Sequence, residues 1–183
     1  MNYASIKYCD IANGEGVRTT IFVSGCSHHC KNCFQPETWN FSYGEEFSPE
    51  VEVKVLASLD DAFVDGLTFL GGEPMEPQNQ EGLLQLARKA KAAHPEKSIW
   101  CYTGDVYEEL ASPESDRHTQ HTDELLGLVD VLVDGPFVEE LHNITLRFRG
   151  SSNQRVIDMN ATREAGEVKL WLDEAIYARR GKM

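Results

Sequence analysis

The chain has 183 residues, enough for one domain with a sizeable core, and its 41% apolar and 26% charged residues are an ordinary globular balance. With 17 basic and 30 acidic residues the net charge is −13, which disfavours binding to nucleic acid and anionic membranes but not to a basic protein face. Because no apolar run could cross a bilayer and residues 1–10 lack a secretion signal, we expect a cytoplasmic protein.

Strand and helix patterns alternate along the chain. Short β-branched or apolar runs predict six strands, at 20–24, 66–70, 98–103, 129–133, 145–148 and 155–159. Helical patterns lie between them, at 49–59, 79–94, 106–110, 123–128 and 137–141. Ser48 as N-cap and Pro49 as first helical residue open the first helix, and the polar run at 114–121 predicts a surface loop. The alternation predicts an α/β fold with a parallel sheet.

Four predicted strands end in segments that can carry a site. These segments are Ser24-Gly25-Cys26, Gly71-Gly72-Glu73-Pro74, Thr103-Gly104-Asp105 and Asp134-Gly135-Pro136. Each one alone has an ordinary interpretation as a turn. In parallel α/β folds, however, the chemistry sits at the carboxyl ends of the strands. We therefore expect the four segments to meet at one edge of the sheet and to form a single site.

Three of the five cysteines, Cys26, Cys30 and Cys33, lie within eight residues directly after the first predicted strand. An odd number of cysteines in a reducing compartment argues against a disulfide framework. Three thiolates on one loop can hold one compact metal centre, and a four-iron cluster with three such ligands keeps one iron open. Cys9 and Cys101 lie apart, and Cys101 within a strand is interpreted as a buried small residue.

Zinc is the second interpretation of the cysteine loop, with His28 or His29 as a fourth ligand. Structural zinc sites usually draw their ligands from two separated knuckles, so a single loop favours an iron–sulfur cluster. Packing of three free thiols as small hydrophobes explains the segment poorly, because its other residues are polar. The residues alone therefore favour the cluster and leave zinc open.

The spacing CxxxCxxC after a first strand resembles the signature of the radical S-adenosylmethionine superfamily. Within it, the chain resembles the activating proteins of anaerobic (class III) ribonucleotide reductases. The resemblance runs from residue 1 to about residue 156, through segments 10–18, 71–74, 100–104, 131–137 and 149–154. Asn32 departs from the pattern of many superfamily members, which have an aromatic residue before the last cysteine; here Phe34 follows that cysteine and supplies the ring.

The resemblance implies that Cys26, Cys30 and Cys33 ligate a 4Fe-4S cluster whose open iron binds S-adenosyl-L-methionine. One electron from the reduced cluster would cleave this cofactor to methionine and a 5′-deoxyadenosyl radical. That radical would take a hydrogen atom from a glycine of the reductase. No general acid or base is expected, because the cofactor carries the chemistry.

The resemblance also implies which residues contact the cofactor. They are Asn32, Phe34, Gly71, Gly72, Glu73, Pro74, Thr103 and Asp134. The two glycines would let the backbone approach the methionine end, the glutamate would accept a hydrogen bond from its ammonium, and the proline would fix the turn. The asparagine and the phenylalanine would face the adenine, and the threonine and the aspartate would be further contacts from neighbouring strand ends.

The implied fold is an open, partial (β/α) barrel of about six parallel strands, because closed eight-stranded barrels usually need about 250 residues. We expect residues 1–159 to form it and 160–183 to be a C-terminal extension with a helical pattern around Trp171. The implied partners are the large subunit of an anaerobic ribonucleotide reductase and an electron donor such as reduced flavodoxin. Two rival functions are a small radical enzyme of the 7-carboxy-7-deazaguanine synthase type and a non-catalytic zinc-binding interaction module.

Overall fold

The computed structural model describes residues 1–171, which form seven strands, five α-helices and two short 3₁₀ turns. The strands are β1 (Asn2–Asp10), β2 (Arg18–Val23), β3 (Glu45–Glu46), β4 (Gly66–Gly71), β5 (Ser98–Tyr102), β6 (Val131–Asp134) and β7 (Arg155–Asp158). The helices are α1 (Pro49–Ala57), α2 (Pro77–Ala93), α3 (Tyr107–Leu110), α4 (Thr122–Leu128) and α5 (Met159–Ala165). The 3₁₀ turns are Pro36–Trp39 and Glu139–Leu141.

All seven strands belong to one sheet with the order β3-β1-β2-β4-β5-β6-β7. Its four central strands, β2, β4, β5 and β6, run parallel. At one side β1 pairs antiparallel with β2 and with β3, and at the other side β7 pairs antiparallel with β6. Within residues 1–171 the sheet stays open. The predicted α/β class and open sheet are thus confirmed, but the prediction of about six parallel strands is wrong.

The structure has two strands, β1 and β3, that the sequence patterns do not predict, and it has no strand at 145–148. Strand β1 was missed because most of its side chains are exposed or half-buried, so it shows no apolar run. The segment 145–148 contains Thr145, Leu146 and Phe148 but is irregular. There the side chain of Asn143 accepts a hydrogen bond from the Thr145 N–H at 2.9 Å, and Phe148 takes a left-handed φ of 59°. The predicted helix at 137–141 is only the 3₁₀ turn Glu139–Leu141.

The sequence signals for helix starts predict the first residues of α1 and α2 to within two residues. Ser48 Oγ accepts from the Val51 N–H at 3.4 Å, and Pro49 is the first residue of α1, as predicted. Helix α2 begins at Pro77, two residues before the predicted start at 79, because proline is well suited to a first turn. None of the helices within residues 1–171 is long and apolar enough to cross a membrane.

The sheet buries both of its faces, and alternate residues of each central strand point to opposite sides. One face carries Leu67, Phe69, Ile99 and Leu132, which pack in the main core with residues of α1, α2 and α4. The other face carries a second cluster, made by Trp100, Val131, Val133 and Val156. Tyr102, Phe148 and Trp171 pack against that second cluster. Burial on both sides explains why the central strands are almost continuously apolar.

The described part of the predicted extension folds back onto the sheet. After α5 the chain returns along β7, where Leu170 forms an antiparallel bridge with Ile157 and the Trp171 N–H donates to Val156 O at 2.8 Å. The Trp171 ring then packs edge-on against Trp100, with centroids 5.4 Å apart. Residues 172–183, including most of the predicted helical pattern, lie outside the described residues. The division between 159 and 160 stays a prediction.

Trp171→Ala is expected to lower the free energy of unfolding of the metal-free protein by about 2 kcal/mol, less than full burial would give, because Trp171 is only half-buried. Leu170→Ala is the matched control, since that side chain is 53% exposed and should cost well under half as much. Urea unfolding followed by circular dichroism measures both variants. Equal losses would contradict a specific packing role for Trp171.

Candidate metal centre and cofactor pocket

A pocket of about 310 Å³ lies at the carboxyl ends of the four parallel strands. Nine of the predicted site residues line it, namely Cys26, Cys30, Asn32, Cys33, Phe34, Gly71, Gly72, Glu73 and Thr103. Eight further residues complete the lining, namely His28, Trp39, Leu70, Tyr102, Gly104, Gly135, Phe137 and Gln154. The expected meeting of the strand-end segments at one edge is therefore found.

The cysteine loop is curled tightly against the end of β2. Cys26 is buried at 7% exposure, whereas Cys30 and Cys33 are half-buried. The Cys33 N–H donates to Cys30 O at 3.1 Å, and His29 and Asn32 take left-handed φ values of 48° and 59°. Burial raises the pKa of the Cys26 thiol to about 11, so a metal would have to displace its proton. The loop thus presents three thiols to one pocket.

The three cysteine sulfurs do not form a compact set around one point in this structure. Three sulfurs around one tetrahedral zinc lie about 3.8 Å apart, as follows from a Zn–S bond of about 2.3 Å. Among residues 1–171, the one set of three candidate ligand atoms within 4.8 Å of one another is that of His28, Glu73 and Asp105, and it contains no cysteine. The three cysteine sulfurs therefore do not all lie within 4.8 Å of one another, although thiol side chains can rotate towards a metal when it binds.

The two histidines of the cysteine loop contact other side chains rather than the thiols. His28 Nε2 lies 3.0 Å from Glu73 Oε2 and 3.4 Å from Asp105 Oδ2. Hydrogen bonds to Asp105 and Glu73 raise the pKa of His28 to about 10, so the imidazole is a cation at neutral pH. The His29 ring packs on Trp39, with centroids 4.7 Å apart. Neither histidine is therefore placed as a fourth zinc ligand beside the three cysteines.

Glu73 is buried at 1% exposure, and the chain itself holds its carboxylate. Oε1 accepts from the Met75 N–H at 2.8 Å, and Oε2 accepts from the Gly104 N–H at 2.8 Å and contacts His28. Because a carboxylate has about four acceptor sites, one site remains on Oε1. The predicted hydrogen bond from a cofactor ammonium thus stays compatible with the bonds that fix this side chain.

Gly71 and Gly72 are required by the packing of the protein itself. A Cβ atom at Gly71 would lie 2.5 Å from the backbone nitrogen of Val23, and one at Gly72 would lie 2.6 Å from the carbonyl oxygen of Gly25. Both distances are well inside van der Waals contact. The predicted reason for these glycines was an approach to a cofactor, whereas the structure gives a reason that holds without one.

Of three other predicted residues, one lines the pocket and two do not. Thr103 lines the pocket, and its Oγ1 accepts from the Asp105 N–H at 3.1 Å. Pro74 and Asp134 are not among the described lining residues. The Asp134 carboxylate instead accepts from the Tyr107 N–H at 2.9 Å and from Arg155 Nε at 3.0 Å, which fastens α3 and β7 to the end of β6. Asp134 therefore braces the strand ends from outside the pocket.

Comparison with known proteins gives one family and several relatives. A family model described as a 4Fe-4S single cluster domain matches residues 12–157. The anaerobic ribonucleoside-triphosphate reductase-activating protein of Vibrio cholerae is 41% identical over 156 residues, which are 84% of this chain and 96% of that protein. Proteins of the same name from Escherichia coli K12 and Enterobacteria phage T4 are each 38% identical over 85% of this chain, and over 97% and 93% of their own lengths. No solved structure matches the chain.

Proposed function

Because the chain belongs to the family of anaerobic ribonucleoside-triphosphate reductase-activating proteins, we propose that it generates a glycyl radical on an anaerobic ribonucleotide reductase. It would do so by cleaving S-adenosyl-L-methionine reductively at a 4Fe-4S cluster. The observation that carries this proposal is the meeting of three thiols and the Gly71–Glu73 backbone in one pocket at the strand ends. The sheet would then be the open partial barrel of the radical S-adenosylmethionine type.

Cys26, Cys30 and Cys33 would hold the cluster, one iron each. When bound, the cluster and S-adenosyl-L-methionine together supply the one-electron cleavage that yields a 5′-deoxyadenosyl radical for hydrogen abstraction. Ligation needs thiols that have not been oxidised to disulfides, so reducing conditions are required to keep them available. The cytoplasm provides such conditions, and reduced flavodoxin is the electron donor that we propose.

The remaining pocket residues would bind and orient the cofactor. Glu73 keeps one free acceptor site on Oε1, and the adjacent Gly71-Gly72 backbone, with Pro74 after it, shapes that end of the pocket. Asn32 and Phe34 stand beside the last cysteine, where a base could pack on the aromatic ring. Thr103 adds a hydroxyl at the end of β5. None of these groups needs to transfer a proton in the reaction.

An exposed aromatic ring at the pocket entrance supports a protein substrate. The Phe34 side chain is fully exposed although it lines the pocket, which puts a large apolar ring at the rim. Exposed apolar groups beside a pocket are typical of surfaces that bind another protein. The reductase large subunit is therefore the substrate that we propose.

Electron paramagnetic resonance tests the proposal. Protein is purified without oxygen, reconstituted with iron and sulfide, and reduced with and without S-adenosyl-L-methionine. We expect a reduced four-iron signal that changes shape when the cofactor is added, followed by a glycyl radical signal when the reductase is present. A colourless protein that contains zinc alone would support the interaction module instead. A cofactor response with no radical on the reductase would support the small-molecule enzyme.

A further inference from the structure

Arg117 lies in the polar segment that the sequence predicts to be a surface loop, yet its side chain is only 16% exposed. Its guanidinium contacts three groups of the site. Nη1 lies 2.5 Å from Glu76 Oε2, Nε lies 3.2 Å from Asp105 Oδ2, and Nη2 donates to Ser27 Oγ at 2.9 Å. One side chain thus connects the cysteine loop with the segments that follow β4 and β5.

The backbone that carries Arg117 is itself fixed to α2. Gln80 is fully buried there, and its amide donates to Met75 O and to Arg117 O, both at 2.8 Å. Its carbonyl oxygen accepts from Thr119 Oγ1 at 2.6 Å and from Thr122 Oγ1 at 2.7 Å. These four bonds use the full hydrogen-bonding capacity of the glutamine side chain. The loop is therefore held in place before Arg117 reaches across to the site.

The partners of Arg117 are carboxylates that need a cation. Glu76 is 5% exposed and Asp105 is 9% exposed, in a chain whose net charge is −13. Glu76 Oε1 also accepts from the Ser27 N–H at 2.6 Å, so both the backbone and the hydroxyl of Ser27 are held. A buried carboxylate without a charged partner would be strongly destabilised. Arg117 compensates Glu76, shares Asp105 with His28, and holds Ser27, the residue next to Cys26.

We propose that Arg117 is a positioning residue that keeps the cysteine loop in a metal-ready conformation by holding Ser27 against the ends of β4 and β5. Arg117 does not line the pocket, so it acts through Ser27, Glu76 and Asp105 rather than by contact with a cofactor. Lysine cannot replace it fully, because a single ammonium cannot bridge three acceptors in a planar arrangement. The inference rests on the proposed function only in the identity of the metal centre that the loop receives.

Alkylation of Cys26 in the metal-free protein tests this inference without any catalytic assay. Iodoacetamide is added under anaerobic conditions, and the modification of Cys26 is followed with time by peptide mass spectrometry. In Arg117→Ala we expect the rate at this buried thiol to rise about tenfold, the ratio that corresponds to losing one charge-assisted hydrogen bond. Arg117→Lys should give a smaller increase. Arg88→Ala is the matched control, because it removes an exposed arginine–glutamate pair between α2 and α4 and should leave the rate unchanged.

Ser27→Ala provides a second variant that keeps the Arg117 ion pairs and hence the fold. We expect it to raise the Cys26 rate in the same direction and, after reconstitution, to weaken the response of the cluster signal to S-adenosyl-L-methionine. Unchanged Cys26 rates in both Arg117→Ala and Ser27→Ala would overturn the positioning role. Failure of the wild-type protein to form a cluster would instead overturn the proposed function, while the alkylation comparison would still stand.

Discussion

Cys30→Ala is expected to abolish assembly of a four-iron cluster, with less than about a tenth of the wild-type iron and sulfide retained after reconstitution. The cluster takes one thiolate per iron, and the loop offers three. Removal of one leaves two irons open on a half-buried loop, where solvent and chelators reach them. Activation of the reductase should disappear together with the cluster. Iron and sulfide analysis and the reduced resonance signal measure the loss.

Cys9→Ala is the matched control for this prediction. Cys9 is exposed on β1 and does not line the pocket, so the variant should bind iron like the wild type. Wild-type iron content in the Cys30 variant would mean that this thiol is not a ligand. A loss of iron in both variants would point to general damage by the substitutions rather than to ligation.

Gly71→Ala is expected to destabilise the protein by roughly 3–5 kcal/mol, because a strained backbone and an overpacked contact act together. Gly71 has a φ of 112°, which side-chain-bearing residues rarely adopt. The added methyl would also lie 2.5–2.6 Å from backbone atoms of Phe22 and Val23, which cannot rotate away as a side chain could. Relief would require β4 to separate from β2 beneath the pocket. Denaturant unfolding of the metal-free protein measures the cost.

Gly127→Ala is the control that uses the same chemical change. Gly127 lies inside α4, and a Cβ there would meet no atom within 4 Å. Alanine at that position should stabilise the protein by about 0.5–1 kcal/mol, since glycine is a poor helix former. Opposite signs at the two glycines would support the packing explanation. A stability of Gly71→Ala close to that of the wild type would contradict it.

The central part of the fold could be predicted because its strands are buried on both sides. Such strands are short apolar runs, and each ends in a glycine-containing turn that marks where the carboxyl edge lies. The sheet margins could not be predicted in the same way. Most side chains of strand β1 are exposed or half-buried, and the direction of β7 depends on its pairing with β6 rather than on its own composition. The local sequence pattern therefore predicts where a strand lies better than it predicts the direction in which that strand runs in the sheet.

Pocket-lining residues that follow strands or cysteines could be predicted, but the ion pairs that His28, Asp105 and Arg117 form could not. His28, Asp105 and Arg117 form ion pairs between segments far apart in sequence, and a polar loop residue has no local feature that distinguishes burial from exposure. Asp134 stays a predicted cofactor contact, but its carboxylate pairs with Arg155 and it is not among the residues that line the pocket. Only the three-dimensional arrangement decides which partner a charged side chain meets.

The return of the chain along β7 has a consequence for the choice of fragment boundaries. The matched family region ends at residue 157, yet the wall of the second apolar cluster includes Trp171, fourteen residues further along. A fragment cut at 157 would expose the aromatic surfaces of Trp100 and Phe148 and leave the outer edge of β7 unpaired at Ile157. Such a fragment would aggregate readily. The apolar packing of the described residues thus extends beyond the region that the family model matches.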